Sequence, residues 1–444
     1  MNCRTALLLV SSVCWPQTAS WEDQIKEADG LRTRGALQQA ETLYQKALAD
    51  SQKSGDNARV AETLLRLGTL YEDQGKYQES LALSNRSLEI LGRKHPSLAA
   101  QSYYAIGFSL WRLGSYAESE KAYLQALSLA EESRGPNHPD AAIILNDLGR
   151  VYMYQGRWSE AENALHKVLR ILGAHPQANK LLASRTLKDL GQLHLHLGNL
   201  IKAEQCMRQA ANLSETEVAQ NPLLAADIFY ALGMVHFLRG QNAKAEAGFS
   251  RALAILEMTL GTEHIDVAAI QTSLGELHRV TRQFAEAESY LLRAIAIQER
   301  AQGRPHSREA KSLGYLGRIY TDQKLFQKAE PVYYRALEIA EETLPPGHFQ
   351  TGMILAELAD LHRCTGELAE SELLYQRAIP VLEKSLGASD YSLAEALTSY
   401  SKVLRKLKRK KEASVLDERA RLIREQQAFQ HGPLTVDVRE LGKR

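Results

Sequence analysis

Apolar residues along this chain recur three and four positions apart, which is the spacing of one face of an α-helix. In one segment the stripe consists of Ile144, Leu145, Leu148 and Val151. Similar stripes come in pairs joined by a short turn, and the pairs follow one another over most of the sequence. The pattern predicts an all-α chain of about ten antiparallel helical hairpins.

A fixed period relates the hairpins to one another. A leucine or isoleucine followed by glycine recurs in the first helix of successive hairpins, and from Gly107 onward the step is 42 residues. The pairs are Leu67-Gly68, Ile106-Gly107, Leu148-Gly149, Leu190-Gly191, Leu232-Gly233, Leu274-Gly275 and Leu316-Gly317. Because one hairpin cannot bury its own apolar face, the hairpins must stack on their neighbours.

Two glycines in each hairpin predict its internal geometry. The Leu-Gly glycine costs about 1 kcal/mol in a helix interior, so we expect a neighbouring helix to pack directly on its backbone. A second glycine seven residues later, such as Gly156, suits the left-handed turn that ends the first helix. Arg282 and Lys324 replace this second glycine in two hairpins.

The first twenty residues differ from the repeats. Arg4 precedes an apolar run from residue 6 to residue 13, and small residues follow before charged sequence begins. This order is typical of a signal peptide, and the run is shorter than the ~20 residues of a membrane span. We therefore predict a signal peptide over 1–20, hairpins over 21–427, and a non-helical tail over 428–444.

Composition narrows the classes of function. Lys+Arg 54 against Asp+Glu 53 gives a net charge of +1, which offers no global reason to expect nucleic acid as a partner. Cys206 and Cys364 lie about four repeats apart, too far for a disulfide in a rigid array. No phosphate-binding loop, nucleophile elbow or zinc-protease motif is present. We expect no enzyme activity and no cofactor or metal.

The repeat resembles the tetratricopeptide repeat, and in particular the 42-residue variety of the kinesin light chain family. The segment from Gly317-Arg318-Ile319-Tyr320 through Arg335-Ala336-Leu337-Glu338-Ile339 carries the likeness. The resemblance implies a right-handed superhelix, or α-solenoid, whose first helices line a concave groove that binds extended segments of other proteins. Serines at residues 80, 84 and 87, near one end of the array, are interpreted as the polar surface of a capping unit.

The candidate groove residues lie three before, one after and four after the Leu-Gly glycine. They are Tyr104, Phe108, Trp111, Asn146, Arg150, Lys188, Gln192, Tyr230, Met234, Phe237, Arg318, Arg363, Lys402 and Arg405. Asn146 resembles the asparagines that hold a peptide backbone in related repeats. Aromatic residues dominate the early positions and basic residues the late ones, relieved only by Glu276 and Asp360. This order predicts a ligand that is apolar toward one end and acidic toward the other.

Three histidines, His194, His236 and His278, also follow the 42-residue step, and His362 continues it two hairpins later. Tyr152 and Tyr320 occupy the same position in other hairpins. Since tyrosine does not replace histidine in a zinc site of this kind, we interpret the position as a ring packed between hairpins.

Two interpretations of function remain open from the sequence. In the first, the chain is a protein-interaction scaffold outside the cytoplasm, secreted or periplasmic, as the signal peptide predicts. In the second, it is a cytoplasmic regulator or sensor built from the same repeats. Cleavage of the signal peptide distinguishes the two.

Overall fold

The computed structural model describes residues 20–91, 95–174, 179–215, 221–302, 307–388 and 390–431. Over these ranges every element of regular secondary structure is an α-helix. The chain divides after residue 178 into two compact units. Unit 1 contains four helical hairpins and unit 2 contains six, so the predicted all-α class and the hairpins are confirmed.

The helices of unit 1 are α1 (Trp21–Thr33), α2 (Leu37–Ser54), α3 (Asn57–Asp73), α4 (Tyr77–Leu91), α5 (Pro96–Arg112), α6 (Tyr116–Arg134), α7 (Pro139–Tyr154) and α8 (Trp158–Gly173). The helices of unit 2 are α9 (Lys180–His196), α10 (Leu200–Glu215), α11 (Pro222–Leu238), α12 (Asn242–Leu260), α13 (Ile265–Val280), α14 (Phe284–Gln302), α15 (Ser307–Asp322), α16 (Phe326–Thr343), α17 (Phe349–Thr365), α18 (Leu368–Leu386), α19 (Tyr391–Lys406) and α20 (Lys410–His431).

In six hairpins, the Leu-Gly glycine lies directly under a large side chain of the second helix. A Cβ atom built on Gly233 would be 2.7 Å from Cδ1 of Phe249. From the opposite helix, Gly248 brings its own backbone to Gly233, where a Cβ on Gly248 would be 2.9 Å from Cα of Gly233. The expected close approach is therefore confirmed, because no side chain larger than hydrogen fits at this contact.

The second glycine of each hairpin adopts the predicted left-handed conformation, with φ of 72° at Gly156. Arg282 and Lys324, which replace this glycine, have φ of 64° and 61°. The turn therefore keeps one geometry whichever residue occupies it. A non-glycine residue in this region costs roughly 1–2 kcal/mol, so packing of the two helices must outweigh that cost.

Histidines at the start of three first helices cap those helices. The Nδ1 atom of His138 accepts a hydrogen bond of 3.2 Å from the backbone N–H of Asp140. His264 and His348 make the same 3.2 Å bond. The physical role of these three histidines is therefore that of an N-cap acceptor.

The two sides of each unit differ in how closely neighbouring hairpins approach. In unit 1, α1 contacts α3, α3 contacts α5, and α5 contacts α7, whereas the described second helices touch the next hairpin mainly through its first helix. In unit 2, α13, α15, α17 and α19 contact one another in the same way. We call the surface formed by these first helices the first-helix face. Because its helices are closer together, it is the concave side of each unit.

The predictions for the two terminal segments of the chain fall largely outside the described residues. The predicted signal peptide and the tail beyond residue 431 lie outside them. The last helix continues to His431, past the predicted boundary at residue 427. Cys206 and Cys364 are both free thiols. Over the described part of the chain, no helix combines the length and hydropathy that crossing a bilayer requires.

We predict opposite effects of alanine at two helical glycines. Gly248→Ala places Cβ against the Gly233 backbone, and overpacking of about 1–3 kcal/mol should exceed the propensity gain of about 1 kcal/mol. Gly314→Ala is the matched control, since its Cβ would meet only Ile354 at 3.8 Å. Urea unfolding followed by circular dichroism should show Gly248→Ala less stable than the parent, with Gly314→Ala unchanged or more stable. Equal effects of the two substitutions would contradict the packing described.

Candidate functional site

Three predicted residues of α5 form one aromatic cluster on the first-helix face of unit 1. The rings of Phe108 and Trp111 lie 5.8 Å apart. The Arg150 guanidinium, from α7, stacks on Trp111 with its carbon 4.2 Å from the ring centroid. Tyr104 donates a hydrogen bond of 2.7 Å to Asp147. The structure therefore brings together four of the predicted residues, from two neighbouring hairpins.

The cluster contains two further rings that the sequence analysis did not select. Tyr154 lies 5.9 Å from Trp111 in an edge-on arrangement and stacks on Tyr116 at 5.2 Å. Tyr154 is 58% exposed, and it stands five residues after Gly149. The candidate groove positions would have included Tyr154 if the fifth residue after the glycine had been among them. An exposed aromatic surface of this kind is typical of binding sites.

A cavity of about 250 Å³ lies beside this cluster, between α5, α6 and α7. Tyr104 forms part of its wall, and Ile143, which is 40% exposed, lines it from α7. An ion pair of 2.7 Å joins two lining residues, Arg134 and Asp140. The other lining residues are Ser97, Ala100, Gln101, Ala130, Ser133 and Ile144.

Asn146, which the sequence predicts to face the groove, is buried. Its side chain is 1% exposed and already interacts within the chain. It lies three residues before Gly149, on the side of α7 that faces the interior of unit 1. Asn146 is therefore not accessible to a peptide backbone in this structure.

In the first part of unit 2, the predicted residues are half-buried and partly engaged with their neighbours. The hydroxyl of Tyr230 lies 3.1 Å from that of Ser273, and its ring lies 5.6 Å from Phe249. The ammonium of Lys188 is 3.7 Å from the carboxylate of Asp227. Gln192, Met234 and Phe237 lie half-buried on α9 and α11.

The later arginines form a network of ion pairs on the first-helix face of unit 2. Arg318 lies 3.0 Å from Glu357 and 3.4 Å from Glu276. Glu276 is 8% exposed and accepts two hydrogen bonds, of 2.7 and 2.9 Å, from Arg279. Arg279 also pairs with Asp322 at 2.5 Å. Three carboxylates thus neutralise two guanidinium groups within one buried cluster.

The two other predicted arginines are also paired. Arg363 donates hydrogen bonds of 2.8 and 3.1 Å to Asp360, and Arg405 pairs with Asp417. Lys402 remains exposed. The expected basic stripe is therefore largely neutralised, because carboxylates of the same helix or of neighbouring helices reach it. The prediction of an acidic ligand segment depended on unpaired basic residues, and most of these are paired within the chain.

The recurrent histidines pack between hairpins, as predicted. His236 and His278 are buried, and the Nδ1 atom of each lies 2.7 Å from the side-chain oxygen of a glutamine five residues later. His362 is buried and pairs with Glu367 in the same way. Within the described residues, no cluster of three metal-ligating side chains is present.

Stacked helical hairpins of this kind define a helical-repeat protein. The profile described as "Tetratricopeptide repeat" matches residues 26–93, 98–174, 224–300, 266–342 and 308–384, and a second profile of that description matches 146–211. The chain belongs to the tetratricopeptide repeat family. The resemblance stated from the sequence is thus confirmed.

Individual relatives are more distant. Protein Kinesin light chain-related 3 of Arabidopsis thaliana is 29% identical over 127 residues, which cover 27% of this chain and 19% of that protein. The mitochondrial tetratricopeptide repeat protein 19 of Rattus norvegicus is 26% identical over 148 residues, covering 28% of this chain and 40% of that protein. The chain matches less than half the length of these relatives.

A solved structure with a similar fold is the apo form of the quorum sensor NprR from B. thuringiensis. It has a TM-score of 0.57 at 11% identity and covers 90% of this chain and 98% of its own. At this level of identity the likeness concerns the fold alone.

We predict that Glu276 stabilises unit 2 through its two arginines. Burial raises the pKa of this carboxyl, but Arg279, Arg318 and Lys311 outweigh burial, so its pKa lies below the ordinary value. Glu276→Gln leaves the arginines without that charge and should destabilise unit 2 by about 1–3 kcal/mol. Unfolding in urea at pH 7 measures the loss.

The sign of the pH dependence follows from the lowered pKa. The stabilisation is present above the unfolded pKa of about 4.3 and is lost as the pH falls through the folded pKa. The difference between parent and variant should therefore shrink toward pH 3. Glu338→Gln, at an exposed position of α16, is the control and should change little. A Glu276→Gln protein as stable as the parent at pH 7 would refute the prediction.

Proposed function

We propose that the chain is a non-catalytic scaffold, and that the first-helix face of unit 1 binds extended segments of partner proteins. The single observation that carries the proposal is the cavity between α5, α6 and α7, beside the partly exposed aromatic cluster. The cavity is smaller than the ~300–1,000 Å³ of sites for drug-sized ligands. It suits one large apolar side chain, while the flanking rings contact the rest of the segment.

The chemistry of the lining supports a peptide as the ligand. Ala100, Ala130, Ile143 and Ile144 form apolar walls. Ser97, Gln101 and Ser133 add groups that can hydrogen-bond to a peptide backbone. Binding at such a site depends mainly on the buried side chain.

The neutralised network of unit 2 supports this choice of site. There, Arg318 and Arg363 already hold carboxylates of the same chain. A ligand would have to break those pairs to bind them. In unit 1, by contrast, Tyr154 and Ile143 are exposed, and covering them removes apolar surface from water.

The test is selection of binders from a library of displayed random peptides. Burying one large apolar side chain contributes about 1.5–3 kcal/mol, so Ile143→Arg, which places a charge in the cavity wall, should weaken selected peptides about 10- to 100-fold. Trp111→Ala should weaken them mainly through faster release. Affinities are measured by surface plasmon resonance.

Met258→Arg is the matched control, because Met258 is 81% exposed on α12 in unit 2. This variant should bind like the parent. Peptides that lose affinity with Met258→Arg but not with Ile143→Arg would place the binding site elsewhere and overturn the proposal.

We further propose that the protein acts outside the cytoplasm, as a secreted or periplasmic protein. The support is the order of charged, apolar and small residues over 1–20. N-terminal sequencing of the protein purified from its native cells should find a mature chain that starts after residue 19 or 20. An intact Met1 on the mature, functional protein would favour the cytoplasmic regulator instead.

A further inference from the structure

The second hairpin of unit 1 carries three serines on the face of α4 that packs into the core. Ser80, Ser84 and Ser87 of α4 are all fully buried, so they are core residues and not the polar surface of a capping unit. The position of Ser84 holds a large residue in eight other hairpins. These residues are Tyr44, Tyr123, Leu165, Met207, Phe249, Leu291, Tyr333 and Tyr375.

The third hairpin contributes matching serines from α5. Ser102 and Ser109 are also fully buried. The position of Ser109 is apolar elsewhere, occupied by Leu70, Val151, Leu193, Val235, Leu277, Ile319, Leu361 and Val403. The hydroxyls of Ser87 and Ser102 lie 3.1 Å apart, and Ser109 donates to Ser80 at 3.2 Å. We call these five residues the serine layer; it joins the second hairpin to the third.

A carboxyl group lies against this layer. Ser80 donates a hydrogen bond of 3.0 Å to Glu72, near the end of α3. Glu72 has no ion-pair partner in the described part of the chain, because the nearby Arg32 is held by Asp73 at 2.7 Å. Glu72 is half-buried. Its pKa is raised to about 7, since burial and the charge of Asp73 raise it more than the bonds from Ser80 and Ser109 and the charge of Arg32 lower it. The hydroxyl of Ser84 is buried without a partner among the described residues.

We propose that the serine layer is a pH-sensitive joint within unit 1, closed while Glu72 is protonated and loosened when Glu72 loses its proton. A protonated carboxyl is neutral and can stay in a narrow contact lined by hydroxyls. A carboxylate without a cation needs water, and these small side chains bury little apolar surface that would oppose its entry. The contact between the second and third hairpins is then the first part of unit 1 to open.

The groups that face Glu72 from other helices lie on α1, α4, α5 and α6. Asp73 raises the pKa of Arg32 on α1 more than burial lowers it, so Arg32 remains a cation and stays with Asp73. Burial raises the pKa of Tyr123 on α6, so this phenol remains neutral. The groups that face Glu72 from α4 and α5 are the hydroxyls of Ser80 and Ser109.

The direction of the pH dependence follows because the pKa of Glu72 is higher in the folded chain than in the unfolded chain. The unfolded value is about 4.3, so the stabilisation is complete below that pH and is lost as the pH rises through about 7. Opening of the joint should increase on the order of tenfold to a hundredfold between pH 5.5 and pH 8.

Hydrogen exchange on the full chain tests the proposal, with intrinsic exchange rates corrected at each pH. Amides of α4 and α5 in the parent should lose protection between pH 5.5 and pH 8 relative to those of α15 and α16. Glu72→Gln should abolish this relative loss, because the amide cannot ionise. Glu62→Gln, on the same helix and already paired with Arg66 at 3.2 Å, should retain it. A relative loss that persists in Glu72→Gln would overturn the proposal, as would its absence from the parent.

Direct titration of the carboxyl gives a second readout that does not depend on how the variants fold. With glutamate labelled with ¹³C at its carboxyl, Glu72 should titrate in the folded chain with a midpoint near pH 7. The resonance is identified by its absence from Glu72→Gln, or by its separation from the exposed carboxyls that titrate near pH 4. If every carboxyl of the folded chain titrates near pH 4, the joint does not exist.

Discussion

The packing of a helical glycine under a large side chain organises six of the hairpins of this protein. Gly107 lies under Tyr123, Gly149 under Leu165, and Gly317 under Tyr333. Because the glycine has no side chain, the two helices approach until the ring or the leucine lies on the backbone of its partner. This contact fixes how the second helix is oriented on the first. It therefore decides which residues of the first helix remain on the concave side.

Neighbouring hairpins are also joined by ion pairs, and these differ between the second helices and the first-helix face. On the second helices, one ion pair recurs between residues 36 positions apart in the chain. The pairs are Lys167 with Glu131, Arg335 with Glu299, Arg377 with Glu341, and Arg419 with Glu383. These pairs are largely exposed, so each contributes little. The buried network around Glu276 is of another kind, because its members lose solvent and must satisfy one another.

The two units therefore offer different chemistry on surfaces built by the same rule. Unit 1 leaves aromatic rings and a cavity accessible, whereas the arginines on the first-helix face of unit 2 are paired with carboxylates of their own chain. The serine layer is a third variation, in which polar atoms replace the large side chain under which Gly68 would otherwise lie. A repeat fold tolerates such variation, because each hairpin contacts only its neighbours.

The sequence alone was sufficient to predict the helices, the hairpins, the left-handed turns and the packed histidines. Each of these depends on residues close together in one repeat, and the 42-residue period shows them several times. It also selected Tyr104, Phe108, Trp111 and Arg150, which the structure brings together. Which side chains meet across neighbouring hairpins was decided only by the tertiary structure. The burial of Asn146, the carboxylates that neutralise Arg318, and the contact between Glu72 and the serine layer all depend on the distance and rotation between helices. A period along the chain assigns a residue to one side of its helix, but it does not specify what lies opposite that residue on the next one.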